Sequence, residues 1–155
     1  MKNENFTINE IEQKLKRYCS YQDRCHNEVE KKLKEFDLIE EAKNKILFNL
    51  INENYLNESR FSENFVRGKF KIKNWGKIKI VQELKSRNIS DINIKRGLME
   101  IDEVEYKNKL ENIFNKKLSS LENQSVINKK KKIFSYLSYR GWEINLIYEK
   151  INKIQ

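Results

Sequence analysis

The sequence QELKSRNI at residues 82–89 decides the fold, because its apolar spacing occurs three times along the 155-residue chain. The corresponding segments are KKLKEFDL at 31–38 and FSYLSYRGW at 134–142. Three apolar positions keep an offset of 51 residues between the first two copies and of 53 between the last two: Leu33, Leu38, Leu47; Leu84, Ile89, Leu98; Leu137, Trp142, Ile151. Such constant offsets indicate a tandem repeat of about 50 residues, with room for three helices in each unit.

The repeated elements are expected to be helices. The chain has no proline and only four glycines, too few for a turn-rich β protein. Apolar residues recur three and four positions apart, as Leu110, Phe114 and Leu118 do. We therefore predict an all-α protein of three tandem three-helix repeats, at residues 1–57, 58–102 and 103–155, that stack into an elongated, curved helical array.

Polar residues predict where the helices of the central repeat begin. Asn57 or Ser59 is expected to cap the first helix, Asn74 the second, and Ser90 with Asp91 the third. After the second helix of the last repeat, Gly141 is expected to form a turn.

Positive charge is concentrated in the middle third of the chain. Residues 60–96 contain 11 Lys and Arg against three acidic residues, so this segment carries +8 of the formal net charge of +9. A genome biased towards lysine codons would spread the charge evenly, which is not observed. Charge concentrated in this way steers and holds negative partners, so the basic segment is the candidate functional site.

Within the basic segment, FVRGKFKIKNWGKIKI at 65–80 alternates cations with apolar residues, and an interruption is expected at 74–76. The helix after the interruption would present unpaired backbone N–H groups to a phosphate or carboxylate. The candidate partner or DNA contacts are Arg67, Lys69, Lys71, Lys73, Trp75, Lys77 and Lys79. Two simpler interpretations remain open: that each lysine lies on a solvated helix face, and that Trp75 packs between helices.

A second basic run, Lys129 to Lys132, is interpreted as an exposed helix start. The aromatic residues that follow are interpreted as packing of the last repeat rather than as a base-stacking platform; they are Phe134, Tyr136, Tyr139 and Trp142.

Several function classes are not expected. No segment approaches the roughly 20 apolar residues of a membrane span, and polar residues occupy the N-terminus where a signal peptide has its apolar run. Cys19, Cys25 and the single histidine, His26, are too few for a zinc site and are interpreted as structural. Because there is neither a membrane span nor a signal peptide, we expect a cytoplasmic protein. With no Gly-rich phosphate loop or catalytic triad, we expect no metal, cofactor or enzyme activity.

The segment 60–90 resembles the central repeat of the RecX family, bacterial regulators of the RecA recombinase. The family pattern is an aromatic residue after Arg, a basic helix, a Gly, then I-x-x-E-L and a basic residue before Gly-Ile; it is met by Arg60, Phe61, Gly76, Ile80, Glu83, Leu84 and Ile89. Asn88 stands where many members have Gly, and both residue types tolerate the left-handed conformation of a helix C-cap. The resemblance extends to residues 18–33 and 52–61, and more loosely to 107–153.

The resemblance implies a non-enzymatic modulator, expected to be a monomer, that lies in the groove of the RecA filament on single-stranded DNA. It would limit strand exchange, ATP hydrolysis or filament growth in DNA repair and the SOS response. Contact with the DNA could be direct or through RecA. Two alternatives remain at this point: a nucleic-acid-binding helical module that acts through its basic central repeat without RecA, and an adaptor whose groove takes an acidic helix.

Overall fold

The structure, a computed structural model, describes residues 5–155; the first four residues, which belong to the predicted first repeat, lie outside this range. The described residues form nine α-helices and no strand. The helices are α1 Ile8–Tyr21, α2 His26–Leu33, α3 Glu40–Asn52, α4 Glu58–Lys71, α5 Lys77–Ser86, α6 Asp91–Leu98, α7 Glu103–Ser119, α8 Val126–Tyr139 and α9 Ile144–Ile151.

The helices recur with the offsets found in the sequence. The third helices of the three repeats begin at Glu40, Asp91 and Ile144, which are 51 and 53 residues apart. The prediction of an all-α array of three three-helix repeats is therefore confirmed. The residue boundaries assigned to the repeats remain a proposal.

Asparagine ends several of the helices. Asn54, Asn74 and Asn88 adopt the left-handed conformation with φ of 63°, 59° and 57°, and Gly141 does so with φ of 83°. Asn88 and Gly141 are equivalent positions of the second and third repeats, 53 residues apart. A short polar side chain tolerates this conformation, so asparagine replaces glycine in a glycine-poor chain.

The predicted N-caps are partly confirmed. The side chain of Asn57 accepts a hydrogen bond from the Arg60 amide, and that of Ser90 accepts one from the Asn93 amide. The prediction for Asn74 is wrong. Asn74 ends the turn after α4 in the left-handed region, and Gly76 is the N-cap of α5.

The buried residues form two separate apolar clusters. One belongs to the first repeat and includes Leu15, Val29, Ile46 and Leu50. The other runs continuously through the second and third repeats, and Cys25 is the residue of the first repeat that joins it. The last two repeats therefore share one core, whereas the first repeat packs mainly on itself.

The joint between the first two repeats is polar. Arg60 Nε donates to Asp23 Oδ1 at 2.9 Å, and its two terminal nitrogens donate to the carbonyl oxygens of Asn54 and Tyr55 at 3.0 and 3.2 Å. Each of these bonds ties the start of α4 to a loop of the first repeat. One guanidinium thus replaces the continuous apolar packing found between the later repeats.

The molecule has a large surface for its size. Its accessible surface is 10298 Å², whereas a compact protein of 18.8 kDa exposes about 8300 Å². The excess is what a stacked array of small units predicts. Among the described residues, no helix combines the length and the apolar character needed to cross a membrane.

Both cysteines are buried and free, as the structural interpretation predicted. Burial raises the pKa of the Cys19 thiol to about 11 and also raises the pKa of Cys25. The backbone amide of Cys25 donates a capping hydrogen bond to Glu28 Oε2 at 3.0 Å, and Cys25 is the N-cap of α2. The thiols are accordingly protonated packing groups near neutral pH.

Small residues let α4 and α6 cross closely in the central repeat. A Cβ atom on Gly97 would lie 2.9 Å from both the Ser62 carbonyl oxygen and Val66 Cγ2. Ser62 is completely buried, and its hydroxyl has no hydrogen-bond partner among the described residues. The close approach therefore depends on the missing side chain at Gly97.

Gly97→Val is expected to destabilise the protein by about 1–3 kcal/mol, because the branched side chain overpacks a crossing that cannot open locally. Gly68→Ala is the matched control, since nothing lies within 4 Å of its added Cβ; there the change should stabilise α4 by up to about 1 kcal/mol. Urea unfolding followed by circular dichroism measures both. Equal stability of the two variants would contradict the close crossing.

Candidate functional site

The candidate contacts of the basic segment surround the connection between α4 and α5. Helix α4 ends at Lys71 and α5 begins at Lys77. The interruption predicted at 74–76 is therefore present, and Lys73 lies in the turn. Lys69, Lys73 and Lys77 consequently do not share one helix face.

Trp75 is the centre of this connection. Its ring is half-buried, packs against the shared core, and meets Phe65 edge-on with ring centroids 6.3 Å apart. Two ammonium groups lie over the indole ring, Lys69 Nζ at 4.8 Å and Lys79 Nζ at 4.6 Å. Cation–π attraction therefore holds these lysines, which are ten residues apart, beside one aromatic ring.

Arg67 and Lys77 have acidic partners within the molecule. Arg67 donates to Glu100 Oε2 at 3.1 Å and to Asn64 Oδ1 at 2.9 Å, and Lys77 forms an ion pair with Glu103. The Arg67 side chain remains 45% exposed. Exposed pairs of this kind contribute only about 0–1 kcal/mol, so a stronger anionic partner can replace the carboxylate.

Lys71 and Lys73 are exposed, as Arg67 is. The carbonyl oxygen of Lys71 accepts a hydrogen bond from Lys109 Nζ at 2.8 Å. Burial lowers the pKa of Lys109 from its ordinary value. Within residues 5–155, no carboxylate pairs with Lys69, Lys71, Lys73 or Lys79. Four cations of the predicted site therefore keep their charge available.

The N-terminus of α5 is closed, so the anion site expected there is wrong. The amide of Gly76 donates to the Arg140 carbonyl oxygen at 2.8 Å, and the amide of Ile78 donates to the Gly141 carbonyl oxygen at 3.0 Å. The amide of Lys77 donates to the Tyr106 hydroxyl at 3.0 Å. The third repeat thus satisfies the helix-start groups that a phosphate would have used.

Two glycines permit this contact. A Cβ on Gly76 would lie 2.4 Å from the Gly141 carbonyl oxygen, and a Cβ on Gly141 would lie 2.3 Å from the Lys79 amide nitrogen. Gly141 also requires its positive φ. We call this contact between the 140–142 turn and the start of α5 the glycine clamp.

Buried aromatic residues support the glycine clamp. The rings of Tyr106 and Trp142 stack with centroids 4.5 Å apart, and Trp142 Nε1 donates to the Asn74 carbonyl oxygen at 3.1 Å. The Tyr106 hydroxyl donates to Glu143 Oε2 at 2.6 Å. Burial first, and then this bond, raise the pKa of Tyr106 above its ordinary value. The hydroxyl therefore stays protonated and keeps both of its hydrogen bonds at neutral pH.

The aromatic residues predicted to pack the last repeat do not all do so. Trp142 is buried, and Phe134 and Tyr136 are partly buried against the shared core. For Tyr139 the prediction is wrong: its side chain is 75% exposed, and Lys79 Nζ lies 4.4 Å from its ring centroid. Tyr139 comes two residues after the buried Leu137, about 200° around α8, and this position on the opposite face is the signal that could have identified it.

Comparison with known proteins identifies relatives of the chain. The family model described as RecX, second three-helix domain, matches residues 57–98. Regulatory protein RecX of Streptococcus uberis is 34% identical over 85 residues, covering 55% of this chain and 33% of that protein. Regulatory protein RecX of Enterococcus faecalis is 35% identical over 81 residues, covering 52% and 30%. The matched part of the chain spans about a third of the length of these curated relatives.

Solved structures extend the likeness to nearly the whole chain. The crystal structure of RecX from Lactobacillus salivarius has a TM-score of 0.82 at 25% identity, covering 95% of this chain and 96% of that one. A second structure, of regulatory protein RecX, has a TM-score of 0.78 at 22% identity, covering 98% and 82%, and supports the fold alone. The resemblance to the RecX family predicted from the sequence is confirmed.

Tyr106→Phe is expected to lower the free energy of unfolding by about 1–3 kcal/mol, because it leaves the buried Lys77 amide without its acceptor. Tyr139→Phe, the same change on an exposed ring, should alter stability by less than about 0.5 kcal/mol. Thermal unfolding and hydrogen exchange of the Lys77 amide measure the difference. Unchanged protection of that amide in Tyr106→Phe would show that the bond does not hold the glycine clamp.

Proposed function

We propose that this RecX-like chain is a non-enzymatic regulator that binds the RecA filament on single-stranded DNA and lowers its recombinase and ATPase activity in DNA repair and the SOS response. The observation that carries the proposal is the agreement between the family match at 57–98 and the basic segment at 60–96. The part of the chain that matches the family model is thus the part that carries the charge.

The arrangement of cations suits a negatively charged filament. Lys71 and Lys73 are exposed at the α4–α5 connection, and Lys69 and Lys79 flank Trp75 beside them. Such a group of cations attracts acidic protein surface or phosphates over about 8–10 Å at ordinary salt. The cation–π contacts with Trp75 hold Lys69 and Lys79 in place, so these two side chains lose little entropy on binding.

The elongated shape supports the same function. Three repeats in line can contact more than one protomer of a helical filament, and several weak contacts on one filament add through effective concentration. We propose that the protein acts as a monomer in the cytoplasm. In this mechanism no bond is made or broken, since the regulator acts by occupying the groove.

The first test is RecA ATP hydrolysis on single-stranded DNA with the protein titrated in well below one molecule per RecA protomer. Hydrolysis is expected to fall, because one regulator that occupies the groove affects a run of protomers. Binding to bare single-stranded DNA is measured in parallel. An unchanged ATPase rate together with salt-sensitive binding to bare DNA would favour the rival function, a nucleic-acid-binding module that does not need RecA.

The double variant Lys71→Glu/Lys73→Glu is expected to weaken filament binding about tenfold or more, because two attractive charges become repulsive. Neither side chain takes part in a described ion pair or cation–π contact, so the fold should be retained. Lys31→Glu/Lys34→Glu is the matched control, with exposed lysines in the last turn and at the C-cap of α2 and the same net charge change. If the two double variants bind the filament equally in a co-sedimentation assay, the basic segment is not the contact surface.

A further inference from the structure

A groove of about 530 Å³ lies beside the basic segment, between α7 and the second half of α8. Its lining includes Lys117, Lys131, Lys132, Tyr136, Tyr139 and Arg140. Lys117 comes from α7, so the sequence alone does not place it beside the α8 residues. The fold brings four cations and two tyrosines to one open, shallow surface.

The charge of this α8 groove is uncompensated. None of the described residues that line it is acidic, and no described carboxylate forms an ion pair with its four cations. The cleft of about 390 Å³ between the first two repeats differs, since Asp23 and Glu28 line it with Lys69 and Arg87. Charge complementarity therefore selects a polyanion for the α8 groove.

The two tyrosines have different surroundings. Tyr136 is held by its neighbours, with the Arg140 guanidinium 3.7 Å and Lys117 Nζ 4.8 Å from the ring centroid. Tyr139 is 75% exposed and has one cation over its ring, Lys79 at 4.4 Å. Proteins bind single-stranded nucleic acids with this combination of an exposed aromatic ring and unpaired cations. A base stacks on the ring, and phosphates contact the cations.

The α8 groove is continuous with the basic segment. Lys79 Nζ lies 4.6 Å from the Trp75 ring centroid and 4.4 Å from the Tyr139 ring centroid, so one ammonium group joins the two surfaces. The glycine clamp fixes this junction, because Gly141 lies between Tyr139 and Trp142 and contacts Lys79 directly. A nucleic-acid strand bound along this path would contact cations and aromatic rings of the second and third repeats.

We propose that the α8 groove binds single-stranded DNA directly, with phosphates on Lys131, Lys132 and Arg140 and a base stacked on Tyr139. This inference deepens the proposed regulation of the filament by adding a contact to the DNA itself. An acidic polypeptide would satisfy the cations but would leave the exposed ring unused, which is why nucleic acid is the favoured occupant.

The test uses the full chain without RecA, so that it can fail independently of the proposed regulation. Fluorescence anisotropy measures the Kd of an oligothymidylate of about 15 nucleotides, near the upper end of known site sizes, over a series of salt concentrations. In Lys131→Gln/Lys132→Gln, the slope of log K against log salt should become shallower by about 1.4, because each phosphate contact to a single strand contributes about 0.7. Lys31→Gln/Lys34→Gln is the matched control and should keep the slope.

Substitutions at Tyr139 test the stacking of a base separately from the contribution of charge. Tyr139→Ala should raise Kd about 5- to 100-fold, whereas Tyr139→Phe, which keeps the aromatic face, should bind like the unchanged protein. Tyr21→Ala is the control, since Tyr21 is 84% exposed on α1 of the first repeat. The proposal is overturned if the protein does not bind the oligonucleotide at low salt, or if Tyr139→Ala binds it normally. Equal displacement of the oligonucleotide by polyglutamate, together with normal binding by Tyr139→Ala, would assign the groove to an acidic polypeptide instead.

Discussion

The glycine clamp is the constraint on which the rest of the structure depends. Two backbone segments approach so closely at Gly76 and Gly141 that a Cβ atom on either would overlap the other. This approach lets carbonyl oxygens of the third repeat accept the first amides of α5, and it places Trp142 against Tyr106. Because buried amides must be paired, loss of the contact would affect both hydrogen bonding and core packing. The clamp also positions Lys79 between the two exposed surfaces considered for binding.

Much of the fold could be predicted from the sequence, because the signals that define it are local. The absence of proline, the spacing of three and four, and the constant offsets are properties of short segments, and the third helices begin at Glu40, Asp91 and Ile144 accordingly. The left-handed conformation at Asn88 was predictable for the same reason. A helix cap depends on a few neighbouring residues, and a repeat period is recognised by comparing short segments along the chain. Both can therefore be predicted without knowledge of the tertiary contacts.

The candidate site was less predictable, because its geometry comes from contacts between distant residues. The open helix start expected at Lys77 is occupied by Tyr106 and by the turn at Arg140 and Gly141, which lie 29 to 64 residues away in the chain. Nothing in the spacing of Lys69 and Lys79 indicates that both lie over Trp75. Counting charges gave the location of the basic surface, but only the fold shows which cations are already paired, namely Arg67 and Lys77.

The division of the core has a consequence for the modularity of the protein. By sequence the chain has three equivalent units, yet by packing it has two, since the second and third repeats share one apolar cluster and the first has its own. A fragment limited to the central repeat would leave Phe70 without Tyr106 and the start of α5 without its acceptors. The second and third repeats are therefore interdependent, and we expect that a chimaera exchanging the first repeat would disturb the core less than one separating the other two.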